Sequence, residues 1–363
     1  MLNVITVNQD PGVGPNKQKG ASVHLLAMRD AFRQQGARVI TVDDSHPATV
    51  ASTLAQYWRT GLDLVYERYA LGKSAAARFA AEQQVPYILE VNAPLAWERR
   101  RWRNEEETQE ERSEDAYMFS HADAIIAVST EVAKYAVRRG ARQSRIKVAA
   151  NGVDSRLFYP RKTEDPIRRE LHIEDKIVLG FHGRLRPWHC FDLLVEVTKR
   201  LVDEGEPIFL LAVGNGEFGE ALSGSLPSTH WYATGWQPYD EIGRYVAAFD
   251  ILPLCYREDS PCYFSPLKLI EAMSCGVVPA VPAIGDLASV VQHNCNGLVY
   301  PASDVDALIH AIRRLIHDPD LVAKLSNGAK QRATEFSWKR IADFALAFAV
   351  KSDASANSIV ACS

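Results

Sequence analysis

Glu271 lies inside a segment, Ser265-Pro266-Leu267-Lys268-Leu269-Ile270-Glu271-Ala272-Met273, that follows a hydrophobic run from Phe249 to Leu254 and a polar loop, and that stops before Gly276. A proline at the first helical position gives up an N–H that a helix start leaves without a partner in any case, so Pro266 predicts a helix here. The remaining free amides, from Phe264 to Leu267, and the positive end of the helix dipole then face whatever lies beyond the strand, which suits a phosphate. Two turns in, the Glu271 carboxylate offers two oxygens that accept from a vicinal diol such as a ribose. Taken alone, the same strand, loop and helix also describe an ordinary α/β unit with one solvated glutamate.

A second constellation narrows the choice. The β-branched run Ile177 to His182 leads into Gly183-Arg184-Leu185-Arg186-Pro187-Trp188-His189, and then into a helix with Leu193, Leu194, Val197 and Leu201 on one face. Glycine lets the backbone approach a ligand closely, the planar fork of arginine matches phosphate oxygens, and a histidine beside a diphosphate is a candidate cation near neutral pH.

These two stretches, spaced as they are, resemble the donor site of the retaining glycosyltransferases of family 4, the glycosyl transferases group 1, which have the GT-B fold. Further pieces agree in order: Lys19-Gly20-Ala21-Ser22-Val23-His24, Ala122 to Ser129, Asn151-Gly152-Val153-Asp154 through Phe158, Val213-Gly214-Asn215-Gly216, Asn296-Gly297-Leu298-Val299 and Phe336-Ser337-Trp338. The resemblance covers nearly the whole chain. It implies an α/β enzyme of two Rossmann-like domains facing a central cleft, with a C-terminal helix returning to the first domain. It also implies transfer of a sugar, with retention, from a nucleotide sugar to a hydroxyl acceptor in the synthesis of a glycan, glycolipid or glycosylated metabolite. UDP is expected as the family's commonest nucleotide.

By the same resemblance, Arg184 and His189 stabilise the departing diphosphate, Gly183 and the stretches Gly214-Asn215 and Gly235-Trp236-Gln237 frame the nucleotide, and Glu271 binds the ribose. Tyr263, Phe264, Ser265, Pro266, Leu267 and Lys268 complete the donor-binding segment. In the first domain the loop with Gly14, Lys17, Lys19 and Gly20 closes over donor phosphates and acceptor. Glu67 and Arg68 face the cleft there, and Asn92 stands where many relatives carry a histidine near the transferred sugar. Asparagine exchanges no proton near neutral pH, so Asn92 is expected to orient, or simply to form the turn before Pro94. The leaving phosphate oxygen would then accept the acceptor's proton. No cofactor and no metal are expected, because cations and a helix start already serve the diphosphate.

Two positions depart from the family pattern. Tyr263 stands where many relatives have a glutamate, so the sugar contact usual there is replaced by a phenol, with Asp259 in the preceding loop as a substitute carboxylate. His189-Cys190 stands where lysine and glycine are common. Lysine is a permanent cation, whereas histidine is one only when protonated. These departures leave a rival open, a catalytically silent homologue that binds nucleotide or glycan as a partner subunit.

Composition is that of an ordinary globular protein: 363 residues, 47% hydrophobic and 24% charged, with a formal net charge of −4. The length predicts two domains of roughly 150 to 180 residues, and the acidic balance argues against a nucleic-acid binder. The six cysteines include no C-x-x-C pair, so neither a zinc site nor a redox motif is indicated. No transmembrane run or signal pattern is evident, and the cytoplasm is the expected compartment.

The elements that must position these residues read as two series of short strands alternating with helices. The first is 2–7, 38–42, 62–66, 87–91, 124–128 and 147–149, and the second is 177–181, 208–213, 231–234, 251–254, 278–281 and 298–300. A charged stretch around Pro166 marks the linker. The expected domains are 1–165, 166–336, a returning helix 337–350 and a flexible tail 351–363.

Gly12-Val13-Gly14, with Asp43 and Asp44 ending the next strand, hints at a dinucleotide fingerprint, but the third glycine falls on Lys17 and the loop runs on to Gly20. An oxidoreductase is therefore disfavoured. Arg99-Arg100-Arg101-Trp102-Arg103, followed by Glu105 to Glu107, reads as a helix with pairs Arg101–Glu105 and Arg103–Glu107. Its other reading is a basic patch for an acceptor phosphate or for peripheral contact with anionic lipid at the inner membrane face.

Overall fold

The computed structural model describes residues 1–17, 19–160, 166–259, 262–263, 265 and 267–360, with 351–360 as backbone only. The strands gather into two parallel six-stranded sheets. The first holds β1 (Asn3–Asn8), β2 (Arg38–Asp43), β3 (Leu64–Arg68), β4 (Tyr87–Val91), β5 (Ala124–Ala127) and β6 (Ile146–Val148), in the order β2-β1-β3-β4-β5-β6. The second holds β7 (Ile177–His182), β8 (Ile208–Val213), β9 (Trp231–Ala233), β10 (Ile251–Pro253), β11 (Val278–Pro282) and β12 (Leu298–Tyr300), in the order β12-β11-β10-β7-β8-β9. Each lies where a β-branched or apolar run predicts it. Helices cover both faces of a parallel sheet, which is why β4 and β8 are buried at every residue instead of alternating.

Strand order sets where a ligand fits. In the second sheet the chain moves from β7 to β8 and β9 on one side, then resumes at β10 on the other. Loops leaving β7 and β10 therefore diverge, and the crevice lies beyond their carboxyl ends. The first sheet reverses between β1 and β3 in the same way.

The chain divides into two compact units. Unit 1 is Met1–Gly152, Tyr263–Ser265 and Ser337–Ser363, and unit 2 is Val153–Cys262 and Pro266–Phe336. The change of unit falls at Gly152, earlier than the linker expected near 165. The reason is packing: Phe158 is fully buried, its carbonyl accepts from Ser274 Oγ at 2.7 Å, and its ring lies 5.6 Å from that of Tyr239, all within unit 2. Residues 161–165 lie outside the described residues.

The last helix, Trp338–Val360, returns to unit 1 and packs on the helix Gly20–Gln34. Trp338 meets the His24 ring edge-on at 4.7 Å, and Lys339 Nζ donates to Gln35 Oε1 at 3.0 Å. A Cβ at Gly152 would come within 2.4 Å of Trp338 N, so this crossing needs a glycine. The helix continues past Val350, where a frayed tail was expected; residues 361–363 lie outside the described residues.

Candidate active site

In unit 2 the ends of three neighbouring strands form one surface. Gly183, Gly214 and Gly235 follow β7, β8 and β9, and all three have positive φ, +108°, +127° and +68°. The Gly183 N–H donates to Val213 O at 2.8 Å and the Gly214 N–H to Gly235 O at 3.0 Å, so the ladder continues through the turn residues. A Cβ on Gly214 would sit 2.4 Å from Gly183 O. These glycine turns place backbone without side chains at the strand ends beside Arg184, whose exposed guanidinium makes no hydrogen bond or ion pair among the described residues. Asn215 O accepts from Leu185 N at 2.8 Å, Gln237 Nε2 donates to Thr234 O at 3.2 Å, and Trp236 is 46% exposed.

Glu271 enters from the other side of the strand-order reversal, on the helix Leu267–Ser274 that follows β10. The helix ends before Gly276, whose φ of +83° serves the stop. Glu271 is only 4% exposed. Its Oε1 accepts from Tyr239 OH at 2.8 Å, and its Oε2 lies 2.9 Å from Nε2 of His182, the last residue of β7. The carboxylate is held on both oxygens, unlike the solvated glutamate of an ordinary α/β unit. Each oxygen keeps a second lone pair for a hydroxyl. His182 Nδ1 is buried without a partner, so the ring's proton belongs on Nε2 and points at Glu271. Neither His182 nor Tyr239 was singled out as a site residue in the sequence; the histidine closing β7 was the available signal.

His189 departs further from expectation. Burial, then the nearby Lys268 and Arg186 charges, push its pKa down to about 2, so in the free protein the ring is neutral, where an imidazolium is expected beside a diphosphate. Its Nδ1 accepts the Arg186 N–H at 3.2 Å, and its Nε2 lies 3.2 Å from Lys268 Nζ. Lys268 Nζ also sits 4.3 Å over the Phe181 ring. Cys190, in the place of the relatives' glycine, has φ +45°, a left-handed conformation that explains the family preference.

Tyr263 and Ser265 group with unit 1. The Tyr263 phenol donates to Glu98, its ring lies 5.6 Å from Trp97, and its carbonyl accepts from Ser129 Oγ. The phenol is therefore engaged instead of open to a sugar hydroxyl. Ser265 Oγ accepts the Asn151 N–H at 3.0 Å, and its carbonyl accepts from Asn151 Nδ2 at 2.8 Å. Phe264 and Pro266 lie outside the described residues. Asp259 is exposed and Leu267 opens the helix.

In unit 1, Gly14 is buried and donates its N–H to Ser22 Oγ at 3.3 Å, while Lys19 and Gly20 stand exposed at the start of the helix Gly20–Gln34. Glu67 is fully buried, which corrects the expectation that it meets an acceptor. The cause is strand length: β3 runs on to Arg68, so Glu67 faces a covered side of the sheet. It accepts from Gln9 Nε2 at 2.5 Å and Tyr87 OH at 2.6 Å, and burial lifts its pKa to about 7 against those two bonds. Arg68 donates to Asn92 Oδ1, leaving Arg68 Nε and Asn92 Nδ2 buried without partners. Arg68 and Asn92 are thus brought together, with spare donors, at the ends of β3 and β4.

The helix Leu95–Arg103 stops at Asn104, which has φ +56°. Glu105 and Glu107 therefore lie beyond it, and the expected four-apart pairs are replaced by others. Arg99 is bidentate to Glu111 at 2.6 and 2.8 Å, and Glu107 receives Arg139 at 2.6 Å and Arg112 at 3.1 Å. Arg100, Arg101, Trp102 and Arg103 stay exposed. A cavity of about 390 Å³ is lined here by Trp97, Arg100, Glu107, Tyr135, Arg138 and Arg139, among others. Among the described residues no helix is long and apolar enough to cross a membrane.

Residues 163–332 match the family described as glycosyl transferases group 1, and residues 1–152 match the glycosyl transferase 4-like domain. A D-inositol 3-phosphate glycosyltransferase of Kribbella flavida is 28% identical over 239 residues, 62% of this chain and 56% of that protein. One from Stackebrandtia nassauensis is 26% identical over 297 residues, 77% of this chain and 66% of that protein. The chain spans between half and two thirds of the length of these curated relatives. Among solved structures, Anabaena HepE in complex with UDP-glucose superposes with TM-score 0.72 at 19% identity, covering 95% of this chain and 98% of that one. Sucrose-phosphate synthase from Thermosynechococcus elongatus superposes with TM-score 0.71 at 18% identity, over 100% of both chains. At these identities the likeness is one of fold: two Rossmann-like units with the last helix back on the first, the GT-B fold.

Proposed function

We propose, for a chain that belongs to the glycosyl transferases of group 1 with a 4-like N-terminal domain, the transfer of a sugar with retention from a nucleotide sugar, with UDP as the nucleotide, to a hydroxyl acceptor. The observation that carries this reading is the meeting, at the strand-order reversal of unit 2, of the glycine turns at Gly183 and Gly214, an Arg184 unpaired among the described residues, and Glu271 held by Tyr239 and His182. As the glycosidic bond breaks, negative charge grows on the leaving diphosphate. Arg184 and the amides opening the helix Leu267–Ser274 offset it in this reading, and preorganised donors of this kind contribute most where charge develops. Glu271 takes the ribose through its two free lone pairs. The leaving phosphate oxygen receives the acceptor's proton on the face it vacates, so the side chains need supply no base. Arg68 and Asn92, with spare donors, orient the acceptor hydroxyl.

The test is a thermal-shift screen with UDP, GDP, ADP and TDP, since a ligand at about 100 times its dissociation constant adds about 2.7 kcal/mol of stability. No shift with any of the four rejects the donor site. Turnover of a nucleotide-sugar panel then separates a transferase from a silent binding subunit. Activity should survive EDTA; loss on chelation with rescue by magnesium or manganese would reject the metal-independent route. The exposed Arg100, Arg101, Trp102 and Arg103 support a peripheral contact with anionic lipid. Co-sedimentation with phosphatidylglycerol vesicles but not phosphatidylcholine vesicles is the expected result, and equal sedimentation with both rejects it.

A further inference from the structure

We infer that Lys268, and not His189, is the side chain that supplies the second cation to the donor diphosphate, and that Lys268 takes up a proton when the diphosphate binds. The inference rests on the donor site proposed above and adds a charge that the empty site does not hold.

The argument begins with a tautomer. His189 Nδ1 accepts the Arg186 backbone N–H at 3.2 Å, so that nitrogen carries no hydrogen. A neutral imidazole then has its single N–H on Nε2, which lies 3.2 Å from Lys268 Nζ. An ammonium has hydrogens and no lone pair, so it would set a donor against a donor. The contact is satisfied when Nζ is a neutral amine accepting from Nε2–H. Burial works in the same direction, lowering the Lys268 pKa from 10.5 to about 7 against the pull of Glu271.

The groups that face this amine set its balance. Glu271 lies on its own helix, with Tyr239 and His182 holding that carboxylate. From the turn Pro187–His189 and the residue before it come His189 and Arg186. From β7 comes the Phe181 ring at 4.3 Å, and Tyr256 stands behind, its ring 6.5 Å from that of His189. Glu271 and the Phe181 face favour the ammonium, whereas burial and the Nε2–H favour the amine. Lys268 therefore sits near its midpoint, and an added field decides its charge.

A diphosphate supplies that field. An opposite charge within about 4–6 Å raises the pKa of a cation by roughly 1–3, and a diphosphate brings more than one such charge. The proton comes from solvent. Once charged, Nζ loses its lone pair, releases Nε2–H and turns to the phosphate oxygens. When the nucleoside diphosphate leaves, the proton returns to solvent and the contact with His189 closes again. His189 is thus a positioning residue that favours the neutral amine in the free protein and holds it in place.

The sign of the pH dependence follows. A group whose pKa rises on binding strengthens binding fully below its free value, and loses that contribution as pH rises from about 7 toward the bound value. At pH 8 the free amine is about one tenth protonated and the bound one between half and almost wholly so, an uptake of roughly 0.4 to 0.9 proton. The β-phosphate, with a pKa near 6, is already ionised there.

Isothermal titration of the wild-type protein with UDP, at pH 8 in Tris and in HEPES, reads the uptake as the dependence of heat on buffer. If the thermal-shift screen favours another of its diphosphates, that one is used. The expected results are uptake of roughly 0.4 to 0.9 proton and an affinity that falls about two- to tenfold between pH 8 and pH 9. Lys268→Arg, permanently charged, should bind with no buffer dependence and a flat pH profile, and Lys268→Met should bind more weakly and also flatly. Binding by the wild type without proton uptake overturns the inference and leaves the donor site standing, as does an uptake that persists in both variants. Failure of all four diphosphates to bind overturns both.

Discussion

Glu271 shows how much a single side chain depends on two others. Tyr239 and His182 approach one carboxylate oxygen each, so the group is aimed before any ligand arrives, as the proposed ribose contact requires. Hydrogen bonds to a charged partner contribute about 1.5–3 kcal/mol, so Glu271→Ala should weaken UDP binding roughly 10- to 100-fold. Tyr239→Phe removes only the aim, and should cost less, about tenfold or under, for the loss of one neutral donor. Titration calorimetry on the three proteins checks the order, and an unchanged affinity in Glu271→Ala places the ribose elsewhere. The placement of Arg184 and Glu271 beyond the ends of β7 and β10 was legible in the sequence, because the apolar runs before them mark where those strands close. The state of His189 was not, because it is set by burial and then by Lys268, a neighbour across 79 residues of chain.

At the scale of elements, the strands were legible and their ends less so. Runs of Val, Ile and Leu bounded by turn residues locate a buried parallel strand well, but nothing in such a run says where pairing stops. β3 continues through Glu67 and Arg68, and that continuation turns an expected acceptor contact into a buried carboxyl. The engagement of the Tyr263 phenol is hidden from the sequence for a similar reason, since its partner, Glu98, belongs to a distant helix. The glycines closing β7 and β8 were legible as glycines, and the structure supplies their reason in the 2.4 Å approach and positive φ of Gly214. Gly214→Ala should therefore push the ends of β7 and β8 apart, costing roughly 1–3 kcal/mol of stability from strain and overlap. It should also abolish measurable UDP binding, because Arg184 rides on the displaced turn. Gly219→Ala is the matched control, since its Cβ meets nothing within 4 Å in the helix Phe218–Ser223. A helix gains roughly 0.5–1 kcal/mol from that change. Equal binding by both variants would separate the glycine turn from the donor site.

On the scale of the whole molecule, the two units are assembled from discontinuous chain, and this has a consequence for stability. Unit 1 is completed by its last segment, Ser337–Ser363, whereas Arg184, Gly214, Lys268 and Glu271 all belong to unit 2. Ending the chain at Phe336 removes Trp338, Ile341, Ala342, Ala345 and Ala349, each buried, and uncovers His24 and its helix. Burying a large apolar side chain stabilises by about 1.5–3 kcal/mol, so loss of the tryptophan and isoleucine alone should cost unit 1 roughly 3–6 kcal/mol. That is a large part of the margin of a unit this size. Unit 2 keeps its own core around Leu179, Phe181, Leu194, Leu210 and Ile312. Scanning calorimetry of the shortened chain should accordingly show an early transition for unit 1, insensitive to UDP, and a later one that UDP raises. Titration should return an affinity within about twofold of the full chain, under about 0.4 kcal/mol. If the shortened chain kept its unit 2 transition but no longer bound UDP, the donor site would draw on residues beyond unit 2, and the assignment of nucleotide binding to that unit alone would be wrong.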